Sequence, residues 1–142
     1  MKKTARVLSI LLALLFVLFA FAACAKGVAR EGLWKDATYT TDKTFGKGDK
    51  VVTLVVTAGE EKVTFTVKTD KETVGEALLD AKLIEGDTTE YGLYVKKVNG
   101  ITADYNVDQS YWAFYIDGEY AMTGVDATPI EAGAVYGFTY TK

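Results

Sequence analysis

The chain has no histidine and a single cysteine, Cys24, in 142 residues. Without His it lacks the commonest metal ligand and the commonest general base. With one Cys it can form no intrachain disulfide and carries no CxxC metal or redox motif. It also contains no GxSxG, HExxH, Walker or dinucleotide-binding sequence, and Gly46-Lys47-Gly48 lacks the spacing and the following helix that phosphate binding needs. Nucleophilic and phosphoryl-transfer chemistry therefore find no support. The expectation is a protein that is not an enzyme and requires no cofactor.

What the chain does have begins at its N-terminus. Lys2, Lys3 and Arg6 precede an apolar run, Val7 to Ala23, that only Ser9 interrupts. A positive segment followed by such a run and by small residues reads as a secretory signal. The run falls just short of the ~18 to 20 apolar residues that span a bilayer comfortably, which leaves an uncleaved anchor as the alternative. Phe21-Ala22-Ala23-Cys24 resembles a bacterial lipobox, in which the Cys thiol receives a diacylglyceryl group and becomes the new N-terminus. Phe21 stands where Leu is usual. Residues 1–23 are thus expected to be a lipoprotein signal peptide and Cys24 the lipidation site, placing the protein outside the cytoplasm on the bacterial cell membrane. Two or more acyl chains are enough for stable anchoring.

Loss of the signal would also change the charge. Sixteen basic and 19 acidic residues give −3, and removing the three basic residues of the signal leaves −6. An acidic chain does not suit nucleic acid or an anionic membrane surface as a direct partner, because both need a basic face. Residues 24–37 are polar, with Gly27, Gly32 and an isolated Trp34, and read as a tether of ~40 Å when extended. Trp34 could instead dock on the domain that follows.

That domain, residues 38–142, reads as strands with one helix. Val51–Ala58 and Val63–Thr69 are β-branched segments joined at Gly59-Glu60-Glu61-Lys62, a hairpin with one wet face. Thr73 and Glu76 have capping-box spacing, and Val74, Ala77, Leu78 and Ala81 then share a helical face. Further strands are expected at Leu93–Val98, Tyr111–Ile116, Glu119–Met122 and Val135–Thr141, with tight turns at Asn99-Gly100 and Asp117-Gly118. The fold class is α+β and β-grasp-like: ββα and then several strands, as one mixed sheet or two small sheets packed with a single helix.

Candidate sites are few. Asp104-Tyr105-Asn106-Val107-Asp108 begins like a calcium loop, but Gln109 replaces the turn Gly and Tyr115 the bidentate Glu, so a solvated loop is the plainer reading. Glu85, Asp87 and Glu90 form an acidic run of the kind that normally faces water. The aromatic residues remain. Alternation puts Trp112, Phe114 and Ile116 on one face of their strand, the economical choice for core, and Tyr111, Ala113 and Tyr115 on the other. Tyr120, with Tyr91, Tyr94 and Tyr105, is then left facing outward or into a groove.

Several of these segments together resemble the DUF4430 family, the transcobalamin-like C-terminal domain also found as the β-domain of transcobalamin and intrinsic factor. They are Thr73–Leu79, Tyr91–Val95 with Val98-Asn99-Gly100, Tyr111–Gly118, Gly124-Val125-Asp126 and the Ala132-Gly133 turn. The resemblance implies a ligand-binding β-grasp domain. In the eukaryotic carriers it forms half of a clamp around cobalamin, and a helical barrel forms the other half. No helical repeat fits into the residues remaining here. Two functions stay open. One is an extracytoplasmic lipid-anchored binding protein for cobalamin or another corrinoid-like nutrient, with Tyr111, Trp112, Tyr115 and Tyr120 as contact surface and a protein partner completing the clamp. The other is a cell-surface module that meets a protein or cell-wall partner without a small-molecule ligand.

Overall fold

The computed structural model describes residues 32–142; the expected signal peptide and Cys24 lie outside the described residues. Along the described chain come β1 (Lys43–Gly46), β2 (Lys50–Ala58), β3 (Glu61–Thr69), helix α1 (Val74–Asp80), β4 (Ile84–Thr89), β5 (Gly92–Val98), β6 (Ile101–Thr102), β7 (Tyr111–Ile116), β8 (Glu119–Tyr120) and β9 (Val135–Thr141). They make a six-stranded sheet in the order β1-β3-β2-β9-β7-β8 and a three-stranded sheet in the order β4-β5-β6. In the larger sheet β1 runs parallel to β3 and β9 parallel to β2, while the other neighbours are antiparallel. The expected α+β grasp is present: a first hairpin, a helix, and a final strand inserted beside that hairpin.

Period-two alternation gives the six-stranded sheet one dry and one wet face. Val52, Leu54 and Val56 of β2, Phe65 of β3 and Tyr136 and Phe138 of β9 are all buried. Helix α1 covers this face with Val74, Ala77 and Leu78. It starts where the capping box requires, with Thr73 Oγ1 accepting from Glu76 N at 3.2 Å and Glu76 Oε2 accepting from Thr73 N at 3.3 Å. The smaller sheet adds Ile84, Val98 and Ile101 to the same core. Trp112 links the two sheets, its indole Nε1 donating to Ile101 O at 3.1 Å.

Both turn dipeptides behave as their chemistry demands. Asn99 and Gly100 take φ of 51° and 80°, and Asp117 and Gly118 take 51° and 81°, the left-handed pairs of tight hairpins. Three differences from the sequence reading stand out. Strands β1, β4 and β6 were not foreseen, and β8 stops at Tyr120 rather than Met122. Residues 104–109, foreseen as loop, contain a single helical turn, Tyr105–Asp108, capped by Asp104. The compact unit that holds these elements spans Leu33–Lys142 and takes in residues 33–37 of the expected tether.

The last difference has a clear cause. Trp34, in a 3-10 turn at Gly32–Asp36, is 4% exposed, and its Nε1 donates to Ala58 O at 2.8 Å. It docks on the domain instead of riding on a tether. The next residues are fastened by Asn99, whose side-chain oxygen and nitrogen both bind the Tyr39 backbone. Asn99 Oδ1 accepts from Tyr39 N at 2.9 Å, Nδ2 donates to Tyr39 O at 2.7 Å, and the Asn99 carbonyl accepts from Thr38 N at 2.8 Å.

Asn99→Gly keeps the positive φ and deletes only the side-chain clamp, leaving partly buried Tyr39 groups unpaired. It should destabilise the protein by ~1 to 3 kcal/mol in urea unfolding. A loss below about 0.5 kcal/mol would mean that the clamp is idle.

Candidate ligand-binding face

The wet face of the six-stranded sheet carries the odd-numbered residues of β2, β7 and β9. Here register matters more than composition. Across the strands, Tyr120 pairs with Tyr115, Tyr115 with Gly137, Gly137 with Val55, and Val55 with Thr64. One row thus places two tyrosines, a glycine, a valine and a threonine side by side. Next to it, Ala113, Thr139 and Thr57 form a second row, and Tyr111 stands opposite Thr141. The Tyr115 and Tyr120 rings meet edge to face, with centroids 5.7 Å apart and planes at 87°.

Gly137 is one of the residues lining a shallow recess on this face. Its backbone is not in the left-handed region, and a Cβ added there would meet Val55 O at 3.6 Å and Tyr115 Cβ at 3.7 Å, ordinary van der Waals distances. Neither backbone strain nor crowding calls for glycine. A glycine inside a strand weakens it and often marks close approach by another group. The absent side chain adds room to a recess of about 310 Å³ lined by Val55, Thr57, Tyr115, Val135, Gly137 and Thr139, among others.

The four residues expected at a contact surface therefore separate into two groups. Tyr111 and Tyr115 are half-buried on the wet face, and Tyr120, 59% exposed, stands beside Tyr115. Trp112 points the other way. It is 6% exposed, is held by Ile101 O and packs edge to face on Tyr140 at 5.6 Å. Alternation along β7 gives the reason, since Trp112 and Tyr111 are neighbours and must take opposite faces. Phe114 is in the core as expected, between Tyr136 and Phe138. Tyr91, Tyr94 and Tyr105 are exposed.

Asp104, Asp108, Glu85 and Asp87 are accounted for locally, and Glu90 is exposed in the turn that follows β4. Asp104 Oδ1 caps the helical turn by accepting from Asn106 N at 3.0 Å. Asp108 Oδ1 accepts from both the backbone N and the hydroxyl of Ser110, and Asp108 Oδ2 faces Tyr140 and Lys142. The Ser110 hydroxyl, helped by its backbone N–H, holds the Asp108 carboxyl below its ordinary range. Glu85 and Asp87 lie on β4 and pair with Lys97 at 3.5 Å and Lys96 at 2.7 Å. Among the described residues no group of three or more His, Cys, Asp or Glu side chains is placed to hold a metal ion.

Asp126 was not singled out as a site by sequence reasoning. It lies in the 3-10 turn Val125–Ala127, and two segments distant in sequence pack against it. A Cβ at Gly75 would come within 2.7 Å of Asp126 Cα, and a Cβ at Gly92 within 2.9 Å of both carboxylate oxygens. Oδ1 is buried and has no hydrogen-bond partner among the described residues. These glycines admit the turn against the helix and the β4–β5 hairpin, a packing role that ties together segments quoted above for the family resemblance.

A family model described as "Domain of unknown function (DUF4430)" matches residues 71–142. The chain belongs to the DUF4430 family. Among solved structures, this DUF4430 chain is similar to a candidate metal binding protein from Ruminococcus gnavus ATCC 29149, at 32% identity and a TM-score of 0.62, over 66% of this chain and 98% of that one. It is also similar to haptocorrin in complex with Cbi, at 17% identity and a TM-score of 0.53 over 69% of this chain. That likeness is one of fold, and the match spans 26% of the haptocorrin chain. No curated protein matches.

Trp112→Ala should cost ~3 to 5 kcal/mol of unfolding free energy, as expected for a buried Trp. Tyr111→Ala, on the wet face, should cost markedly less. Equal losses in parallel denaturation curves would contradict the division of β7 into a core face and a free face.

Proposed function

We propose that this protein is a lipid-anchored, extracytoplasmic ligand-binding protein, and that its ligand is a corrinoid or another large, flat nutrient. One observation carries the reading: a glycine that the backbone does not require lines a recess in the middle of a sheet face, beside an edge-to-face tyrosine pair. Tyrosine rings offer apolar faces with hydroxyls at their rims, which suits a flat ligand bearing polar groups. The fold shared with haptocorrin, which was solved with Cbi bound, supports the same direction.

Size adds a constraint. The recess of about 310 Å³ lies at the lower end of the ~300 to 1,000 Å³ typical of small-molecule sites. A corrinoid overfills it and would rest one face or edge on the sheet, leaving the opposite face for a second protein to cover. With no His in the chain, no imidazole from this protein reaches cobalt. Binding would rest on ring packing and hydrogen bonds to hydroxyls. The metal binding attributed to the Ruminococcus relative finds no matching donor set among the described residues.

A protein partner without a small-molecule ligand is the second reading. It is favoured by Tyr91 and Met122, which are 91% and 93% exposed. Isolated surface apolar residues are common, so these two alone carry less weight than the recess.

Cyanocobalamin titrated into the chain from Ala25 onward, followed by corrin absorbance and calorimetry, tests the main reading. Saturable binding is expected, and Gly137→Val should weaken it about tenfold or more without lowering the melting temperature, because valine favours strands. Flat titrations up to high micromolar ligand would overturn the corrinoid assignment. The anchor has its own test. Cys24→Ala should release the protein from the membrane fraction and remove the acyl mass, and a variant that stays bound at unshifted mass would sink the lipid reading.

A further inference from the structure

A second recess lies on the same wet face. It measures about 410 Å³ and is lined by Asp49, Lys50, Val51, Thr53, Ile130 and Ala132. Val51 and Thr53 precede Val55 and Thr57 on the same side of β2, so the two recesses follow one another along the β2–β9 seam. From residue 51 to residue 57 the strand covers ~20 Å, longer than a compact small molecule and suited to a body with a side arm.

The charges at the far end are unequal in availability. Lys50 Nζ is already occupied, by Glu72 Oε2 at 3.3 Å and by Lys71 O at 3.1 Å. Asp49 gives its backbone N–H to Asp70 Oδ1 at 3.0 Å, but its exposed carboxylate has no hydrogen-bond or ion-pair partner among the described residues. The free charge at this mouth is therefore negative. Behind it Val51 and Ile130 provide apolar wall, and the loop bearing Ile130 is held in place by Tyr136, whose hydroxyl accepts from Glu131 N at 3.0 Å and donates to Pro129 O at 3.2 Å.

We infer that this recess is a second subsite, which takes an alkyl side arm ending in an N–H donor, an amide or an ammonium group, from a ligand whose body lies over Gly137. The stem packs on Val51 and Ile130, and the terminal N–H donates to the Asp49 carboxylate. An anionic arm is disfavoured by the same carboxylate. The inference rests on the wet face being the ligand surface, but not on the ligand being a corrinoid.

Two small probes test it without cobalamin. The ¹⁵N-labelled chain from Ala25 onward is titrated with n-butylammonium and, separately, with butyramide, and the backbone amide shifts are followed. The expected result is a saturable shift confined to residues 49–53 and 130–134. Asp49→Asn should weaken n-butylammonium about tenfold and butyramide less, since only the first loses a charge pair. Thr53→Phe, checked for a dispersed spectrum, should abolish both responses by filling the recess. The absence of saturable shifts with either probe, or a response unchanged in Asp49→Asn and Thr53→Phe, overturns the subsite. A failed cobalamin titration with these shifts intact removes the corrinoid assignment alone.

Discussion

Everything in this fold depends on one parallel pairing, β9 beside β2. Parallel neighbours cannot be joined by a tight turn, so the chain between them must leave the sheet and return. Here the excursion includes α1, the three-stranded sheet and β7, and what it leaves behind supplies the cover for one face. Among the described residues the opposite face gets no such cover. Chain closure late in the sequence thus decides which side of the first hairpin is dry, and the period-two pattern of β2 already agrees with that decision. An agreement between local pattern and distant closure is what makes a sequence specify one structure.

Much of this was legible beforehand, and the reasons are local. Both hairpins with Asn-Gly and Asp-Gly turns announced themselves because few residues other than Gly, Asn and Asp tolerate positive φ. The helix start was legible because a capping box has a fixed spacing. The strands that escaped notice lack such signals. β4 (IEGDTT) buries only Ile84 and is interrupted by a register shift between Glu85 and Gly86, and β1 and β6 are too short to show a period. Their pairing is imposed by neighbours, and propensity yields to that context.

The candidate site divides in the same way. Tyr111, Tyr115 and Tyr120 could be grouped from alternation and a turn, whereas Trp112, which alternation put with the core set but which was also offered as a contact residue, is decided by its indole reaching Ile101. Gly137 was out of reach. A glycine contributes no chemistry to a motif, and its meaning here is the absence of a side chain between Tyr115 and Val55, which only register reveals. Likewise Asp126 reads as a lone surface acid until Gly75 and Gly92 are found against it. Both cases show that shape made by small residues is invisible to a search for reactive ones.

The fastening of residues 34–39 has a mechanical side. A pull on the chain ahead of Leu33 does not peel a strand from an edge one bond at a time. It meets Trp34 seated on Ala58, then the Asn99 clamp, and after these β1, whose bonds to β3 run along a parallel pair. These points lie on different parts of the fold, and each would have to yield before tension reached the β2–β9 seam. Three attachments thus stand between a load applied at the N-terminal side and the recesses on the wet face.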